Sequence, residues 1–213
     1  MKRIPPLPDS PDSIAEVLRR FDVAARPPRF PAADVSYAAH DTAVGRLLLA
    51  VDDTGVLVTS VFAAGQADEE AALDRLSSGV SPRVLRRPEA LDGVRRWLDD
   101  YLEGQRPEQA PRWSLALATP FQATVLTALA ERVGYGERTS YGRLADWSGR
   151  PRAVRAVGTA LGANPLCIVL PCHRVVGSSG ALTGYAGGLS AKRYLLELEA
   201  NPGTSCGFRR AEQ

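Results

Sequence analysis

Cys172 and His173 stand side by side after an apolar run, Ile168-Val169-Leu170-Pro171, and are followed by Arg174-Val175. A thiol is a poor nucleophile at neutral pH until a base or a positive field makes it a thiolate. A neighbouring imidazole, oriented by a carboxylate, is the usual base. The chemistry open to such a group is nucleophilic attack by sulfur. The plainer reading is a buried cysteine beside a structural histidine, and the pair alone favours it. One carboxylate changes the balance. In the last helical segment Tyr194, Leu195, Leu196 and Leu198 form a broad apolar arc, with Glu199 inside it and Glu197 outside. A carboxylate inside an apolar arc needs a partner, because burying an unpaired charge is costly. The alternative for Glu199 is a helix-end acid at the margin of the core.

A zinc site is not expected. The chain has only His40 and His173, three cysteines and no Cys-x-x-Cys. The odd cysteine count, without framework spacing, suggests free thiols in a reducing cytoplasm. Cys167 reads as a strand core residue and Cys206 as a tail thiol.

The elements that must position this chemistry come from a chain of 213 residues, 45% hydrophobic and 23% charged. That composition is globular, with a sizeable core. No apolar run reaches the length of a membrane span, and the start lacks a signal-peptide stretch. A cytoplasmic location without membrane contact is expected. Residues 132–155 carry arginines 132, 138, 143, 150, 152 and 155 against Glu137 and Asp146. A local basic patch suits a polyanion such as DNA, although a solvated face looks the same. Residues 68–74 instead carry Asp68, Glu69, Glu70 and Asp74.

Three regions follow. Residues 1–33 form a proline-rich extension in which Ile14, Val17, Leu18 and Phe21 suggest one short amphipathic helix. Residues 34–118 read as a mixed α/β unit. Strands are expected at 45–51 and 56–61, joined by the hairpin signal Asp52-Asp53-Thr54-Gly55. A helical stripe runs through Leu91, Val94, Leu98, Tyr101 and Leu102, and a last strand is expected at 113–118. Residues 119–213 differ in texture. Thr119 caps a helix with Pro120 at its first position and Phe121, Val125, Leu126, Leu129 and Val133 on the buried face. A short helix at 140–147, a turn at 148–151 and a second helix at 152–161 make a helix-turn-helix pattern. Val154, Val157 and Leu161 face the core in this reading, with Arg152, Arg155 and Thr159 on another side. Ala156, Gly158 and Ala160 are small, which lets a helix approach a narrow surface. Two packed helices in any core give a similar pattern.

The parts combine into a resemblance. Thr119-Pro120-Phe121-Gln122, Thr139-Ser140-Tyr141-Gly142, and Arg152 through Gly158 are followed by Asn164-Pro165 and the Cys172 octet. Gly184-Tyr185-Ala186-Gly187-Gly188 and Lys192 complete the series. In this order and spacing the chain resembles the O6-alkylguanine–DNA alkyltransferases, densely over 119–200 and weakly at 45–50. The fold implied is a two-domain α/β arrangement. It has an N-terminal mixed α/β, ribonuclease H-like domain and a C-terminal, mostly helical domain with a winged-helix-like helix-turn-helix.

The resemblance implies an acceptor protein for the alkyl group on O6 of guanine, with O4 of thymine left open. The damaged nucleotide must be flipped out of double-stranded DNA to be reached. By the resemblance, Cys172 is the nucleophile, His173 its base through a water, and Glu199 the carboxylate that orients His173. Tyr141 helps rotate the nucleotide and protonates the leaving guanine. Arg155 fills the gap left by the base. Arg152, Ala156, Gly158, Thr139 and Ser140 belong to the DNA surface. Asn164 is a hinge between the recognition helix and the active-site strand, while its plain reading is a helix C-cap. Tyr185 walls the base pocket, and backbone groups near Val175 and Ser179 read the guanine edge. The product is a thioether, so one turnover per molecule follows, without cofactor or metal. A monomer is expected, and cooperative assembly on DNA is left open.

The chain departs from common patterns at Ala200, where glycine is frequent, at Leu126, where tryptophan is frequent, and in its 33-residue extension. Three rivals stay in view: a non-catalytic lesion-binding protein, which lacks the reactive cysteine; a helix-turn-helix regulator, which needs no Cys-His-Glu set; and a Cys-His hydrolase, which turns over repeatedly.

Overall fold

The turn at residues 52–55 shows why the first hairpin forms. Asp52 Oδ1 accepts from Thr54 N at 2.9 Å, Thr54 Oγ1 at 2.7 Å and Val56 N at 2.9 Å. Gly55 takes a φ of 77°, a conformation open to glycine at little cost. The turn joins β2 (Gly45–Asp52) to β3 (Leu57–Phe62), which pair antiparallel. The computed structural model describes residues 33–105 and 109–201. The expected helix at 14–21 and the Cys206 tail lie outside them.

β1 (Val35–Thr42) pairs antiparallel with β2, and β4 (Val84–Arg86) adds parallel to β1, so the sheet order is β3-β2-β1-β4. Leu47, Leu49 and Val51 enter one apolar cluster, while Leu48 and Ala50 enter another. Both faces of β2 are therefore covered, which is why its sequence is a continuous apolar run rather than an alternation. On one face lies α1 (Gln66–Gly79), which buries only Ala72 and Leu76. On the other lies α2 (Asp92–Leu102), reached through a 3-10 turn at Pro88–Leu91. The expected stripe holds: Val94, Leu98, Tyr101 and Leu102 are all buried.

The second half begins with α3 (Pro120–Arg132). Thr119 accepts from Gln122 N, and Gln122 Oε1 accepts from Thr119 N, so each satisfies an end group of the helix. A short strand β5 (Thr139–Ser140) leads into α4 (Tyr141–Trp147), then α5 (Val154–Gly162). After a 3-10 turn at Cys172–Arg174, β6 (Val175–Val176) pairs parallel with β5, and α6 (Gly188–Ala200) is the last described element. The described residues fall in one compact unit that starts at Ala33. Its larger apolar cluster includes Leu49, Leu57 and Leu98 from the first half with Leu126, Leu144 and Leu195 from the second.

Several expectations are corrected. Residues 113–118 hold a single bridge, Leu57–Trp113, in place of a strand. The edge of β3 beyond Leu57 is already engaged, since Ser60 N donates to Pro165 O at 2.8 Å and Cys167 N to Ser60 O at 2.7 Å. The apolar run 168–170 is likewise no strand. Ile168 takes a φ of 72°, and Leu170 N turns back to Leu166 O at 2.8 Å. In α5, Val154 is 41% exposed, and Ala160 takes a core place beside Val157 and Leu161. Val154 opens the helix, before the turn that packs inward.

Gly187 marks a tight join between the halves. A Cβ there would run into the Phe62 ring at the end of β3. Overpacking of this kind costs about 1–3 kcal/mol. Gly187→Ala is expected to lower stability in urea by that amount, and the loss should shrink in a Phe62→Ala background. Equal losses in both backgrounds would refute the contact as the cause.

Candidate active site

The site is built around the turn that carries Cys172. Asn164, just past α5, brackets this turn from both ends. Its Oδ1 accepts from Leu166 N at 3.0 Å, and its Nδ2 donates to Leu170 O at 3.1 Å and to Cys172 Sγ at 3.1 Å. The C-cap of α5 is Ala163, so Asn164 is not the cap itself. It links the helix to a tight reversal rather than to a strand.

Cys172 is 6% exposed. Its thiol titrates below the ordinary 9.0. A hydrogen bond from the Cys167 thiol contributes most; burial opposes it, and Asn164 and the Lys192 ammonium add to the lowering. The same bond and burial push Cys167 well above the ordinary value. Lys192 is fully buried and donates to Val175 O at 2.7 Å and Thr183 O at 3.2 Å. A buried ammonium held by carbonyls places positive charge near the sulfur.

His173 and Glu199 meet as expected, with Nε2 2.9 Å from Oε1. Glu199 also accepts from Arg174, from Nε at 2.9 Å and from Nη2 at 2.8 Å, and from Gly136 N at 3.2 Å. Tyr101 Oη donates to the same Oε1. Burial alone would raise the Glu199 carboxyl, but hydrogen bonds from His173 and Arg174 outweigh it and hold the group at about 2. An ionised carboxylate only accepts, so His173 Nε2 carries the proton and Nδ1 holds the lone pair. Nδ1 is buried and has no hydrogen-bond partner among the described residues. Burial lowers His173 below 6.5, against the pull of Glu199. The imidazole is therefore neutral at pH 7 and free to take a proton.

Beside the sulfur lies a cavity of about 260 Å³, lined by Tyr141, Gly158, Leu161, Gly162, Cys172, Gly184, Tyr185 and Ala186. Tyr141 opens α4, capped by Ser140, and its hydroxyl lies 2.7 Å from Thr183 Oγ1. Gly158 of α5 faces the Tyr141 ring, and a Cβ on it would make ordinary contact at 3.8 Å. Tyr185 packs edge-on against His173 and Phe62. Its hydroxyl is buried without a partner among the described residues.

Arg155 and Ala156 are exposed in the first turn of α5, Gly158 is partly so, and Arg152 is exposed in the turn before the helix, which starts at Val154 rather than at 152. Other arginines of the basic stretch rest on aromatic faces: Arg132 and Arg143 over Trp147, and Arg150 over Phe121. Thr139 does not join this surface, because β5 buries its side chain to 4% exposure. Ser179 is exposed and does not line the cavity, and the carbonyl of buried Val175 is occupied by Lys192. His40 pairs with Asp99 at 2.7 Å. Among the described residues no His, Cys, Asp and Glu cluster could hold a metal.

Tyr101, Arg174, Lys192 and Cys167 join the site beyond the residues to which the motif assigns a chemical role. Lys192 had a readable signal, since Lys192, Leu195, Leu196 and Glu199 share one helix face at i, i+3, i+4 and i+7. Tyr101 had none, because it sits in the core stripe of α2.

The chain is similar to known proteins over most of this region. A family model described as "6-O-methylguanine DNA methyltransferase, DNA binding domain" matches residues 120–201. A methylated-DNA–protein-cysteine methyltransferase of Methanosarcina acetivorans is 37% identical over 168 residues, covering 78% of this chain and 98% of that protein. The protein of the same name from Mycobacterium bovis is 49% identical over 112 residues, covering 53% of this chain and 67% of its own length. A crystal structure of Mycobacterium tuberculosis OGT in complex with DNA aligns with a TM-score of 0.65 and 38% identity, over 78% of this chain and 92% of that one.

The buried carboxylate makes stability depend on acid. Glu199 is lowered from its ordinary 4.5, so its contribution is full above that pH and fades as pH falls toward about 2. The size is on the order of 3 kcal/mol. His173 adds a loss that starts below pH 6.5, where the unfolded chain binds a proton more readily than the folded one. Urea unfolding from pH 7 to pH 3 is expected to show this decline. Glu199→Gln should be less stable at pH 7 and show a flatter decline below pH 4.5; an unchanged slope there would refute the assignment.

Proposed function

Because this chain belongs to the methylated-DNA–protein-cysteine methyltransferase family, we propose that Cys172 is the residue that takes the alkyl group. The family's activity is DNA repair: an alkyl group on O6 of guanine moves to a cysteine of the protein itself. The observation that carries the assignment is the place of Cys172. It alone among the described cysteines lines the cavity beside α4 and α5, with Asn164 Nδ2 on its sulfur.

In this reading α5 enters the minor groove of double-stranded DNA, with Arg152, Ala156 and Gly158 against the strands and Ser140 at the edge. Arg155 takes the space of the extruded base. The alkylated guanine enters the cavity between Tyr141 and Tyr185. His173 Nδ1 draws the Cys172 proton through a water, and the imidazolium is held by Glu199. The thiolate attacks the alkyl carbon, a C–S bond forms, the C–O6 bond breaks, and guanine leaves with a proton from Tyr141. The thioether is stable, so each molecule acts once. We also retain the division into a ribonuclease H-like domain at 34–118 and a helix-turn-helix domain of winged-helix type at 119–213. Action as a cytoplasmic monomer without cofactor belongs to the same reading.

The test is a mass measurement on the Cys172 peptide after incubation with a duplex carrying O6-methylguanine. One added methyl group per protein is expected, absent in Cys172→Ala and retained in Cys167→Ala. An unmodified Cys172 with tight binding would point to lesion binding without chemistry. Repeated turnover would sink the acceptor mechanism.

A further inference from the structure

Tyr101 comes from α2, in the first half of the chain, yet its hydroxyl lies in the middle of the acid–base network. It donates to Glu199 Oε1 and stands 3.4 Å from His173 Nε2. Its ring stacks on Trp97 at 5.5 Å and 11°, and meets Tyr135 edge-on at 6.0 Å. The ring is therefore held by packing, and the hydroxyl is free to serve the carboxylate.

His173 Nε2 carries its proton toward Glu199 and cannot accept from Tyr101. The tyrosine and the histidine therefore compete as donors for one oxygen, Oε1. The other charged and polar groups at this point are few. Arg174 grips both carboxylate oxygens, Gly136 N reaches Oε2, and Lys192 acts on His173 at longer range. The Tyr135 ring lies under Arg174, and the Tyr185 ring stands edge-on to His173. Of these groups, Tyr101 is the neutral donor that shares the same oxygen as the histidine.

We propose that Tyr101 is a positioning residue for the acceptor site: it fixes Glu199 Oε1 against His173 and limits how strongly the carboxylate holds the imidazole proton. A hydroxyl that draws on the charge of Oε1 weakens the pull on the imidazolium. The imidazole then stays neutral, and ready to accept, to lower pH. The inference rests on the proposed role of His173 as the base for Cys172.

The test compares wild type with Tyr101→Phe, which keeps the stacked ring. The readouts are the pH profile of alkyl transfer from an O6-methylguanine duplex and the NMR titration of His173. Removing the hydroxyl is expected to move the acidic limb and the His173 titration upward by about half to one pH unit. The plateau rate should fall by about 3- to 10-fold, the equivalent of one hydrogen bond. DNA affinity, measured with undamaged duplex, should not change. A lost packing contact alone would lower stability without moving the titration. Should Tyr101→Phe fail to fold, 3-fluorotyrosine placed at residue 101 is a stronger donor, and it should move the limb downward. A folded variant whose acidic limb and His173 titration both match wild type overturns the proposal. If wild type transfers no alkyl group, the acceptor reading fails, and the His173 titration still decides the role of Tyr101.

Discussion

The Glu199 carboxylate is the constraint on which the site depends. It is buried near the end of α6 and accepts from four residues: Tyr101, Gly136, His173 and Arg174. Those residues belong to α2, to the loop after α3, and to the turn that carries Cys172. A buried carboxylate left without partners would be strongly destabilising, so each of these segments must arrive in register. The guanidinium of Arg174 makes the arrangement tolerable, because its charge balances the acid and its donors fill both oxygens. A neutral histidine then occupies one defined tautomer. Gly136 takes part through its backbone alone. Its φ is 76°, and a side-chain carbon on it would stand 3.2 Å from Glu199 O, so a larger residue would be strained there.

The sulfur end is organised by different means. Asn164 commits its whole amide to the turn, two bonds to backbone and one to Cys172. Lys192 sets a positive charge beside the thiol, and Cys167 offers a weak donor. Anchoring Cys172 to a turn of buried backbone leaves its thiol little freedom. The cavity side is formed by the Tyr141 and Tyr185 rings, Leu161 and several small residues, so an incoming group meets a shaped wall.

Much of this was legible in the sequence, and the limits have physical causes. Glu199 stands out because a charge inside an apolar arc is a contradiction that only a partner resolves. The Thr119 cap, the α2 stripe and the hairpin at 52–55 are legible because each rests on contacts between near neighbours. β1 escapes because Ser36, Ala38 and Ala39 weaken its strand pattern, and α1 because only two of its residues are buried. Residues 168–170 read as a strand on apolar content alone, since nothing local predicts that Ile168 adopts a left-handed conformation. Tyr101 reads as core because periodicity reports which face is buried and says nothing of where a hydroxyl ends. Thr139 and Ser179 were assigned by analogy of position, which does not determine side-chain direction.

The sequence distances within the network carry a consequence of their own. Tyr101 and Glu199 are 98 positions apart, and Gly136 and Glu199 are 63 apart. Contacts of such separation form late in folding, after local helices and hairpins have appeared. During synthesis Cys172 is joined to the chain before the residues of α6, and until α6 packs the thiol lacks the nearby ammonium of Lys192 and His173 lacks the carboxylate of Glu199. The ammonium of Lys192 and the carboxylate of Glu199 therefore reach the turn at Cys172 together, in the single step by which α6 packs against the rest of the fold.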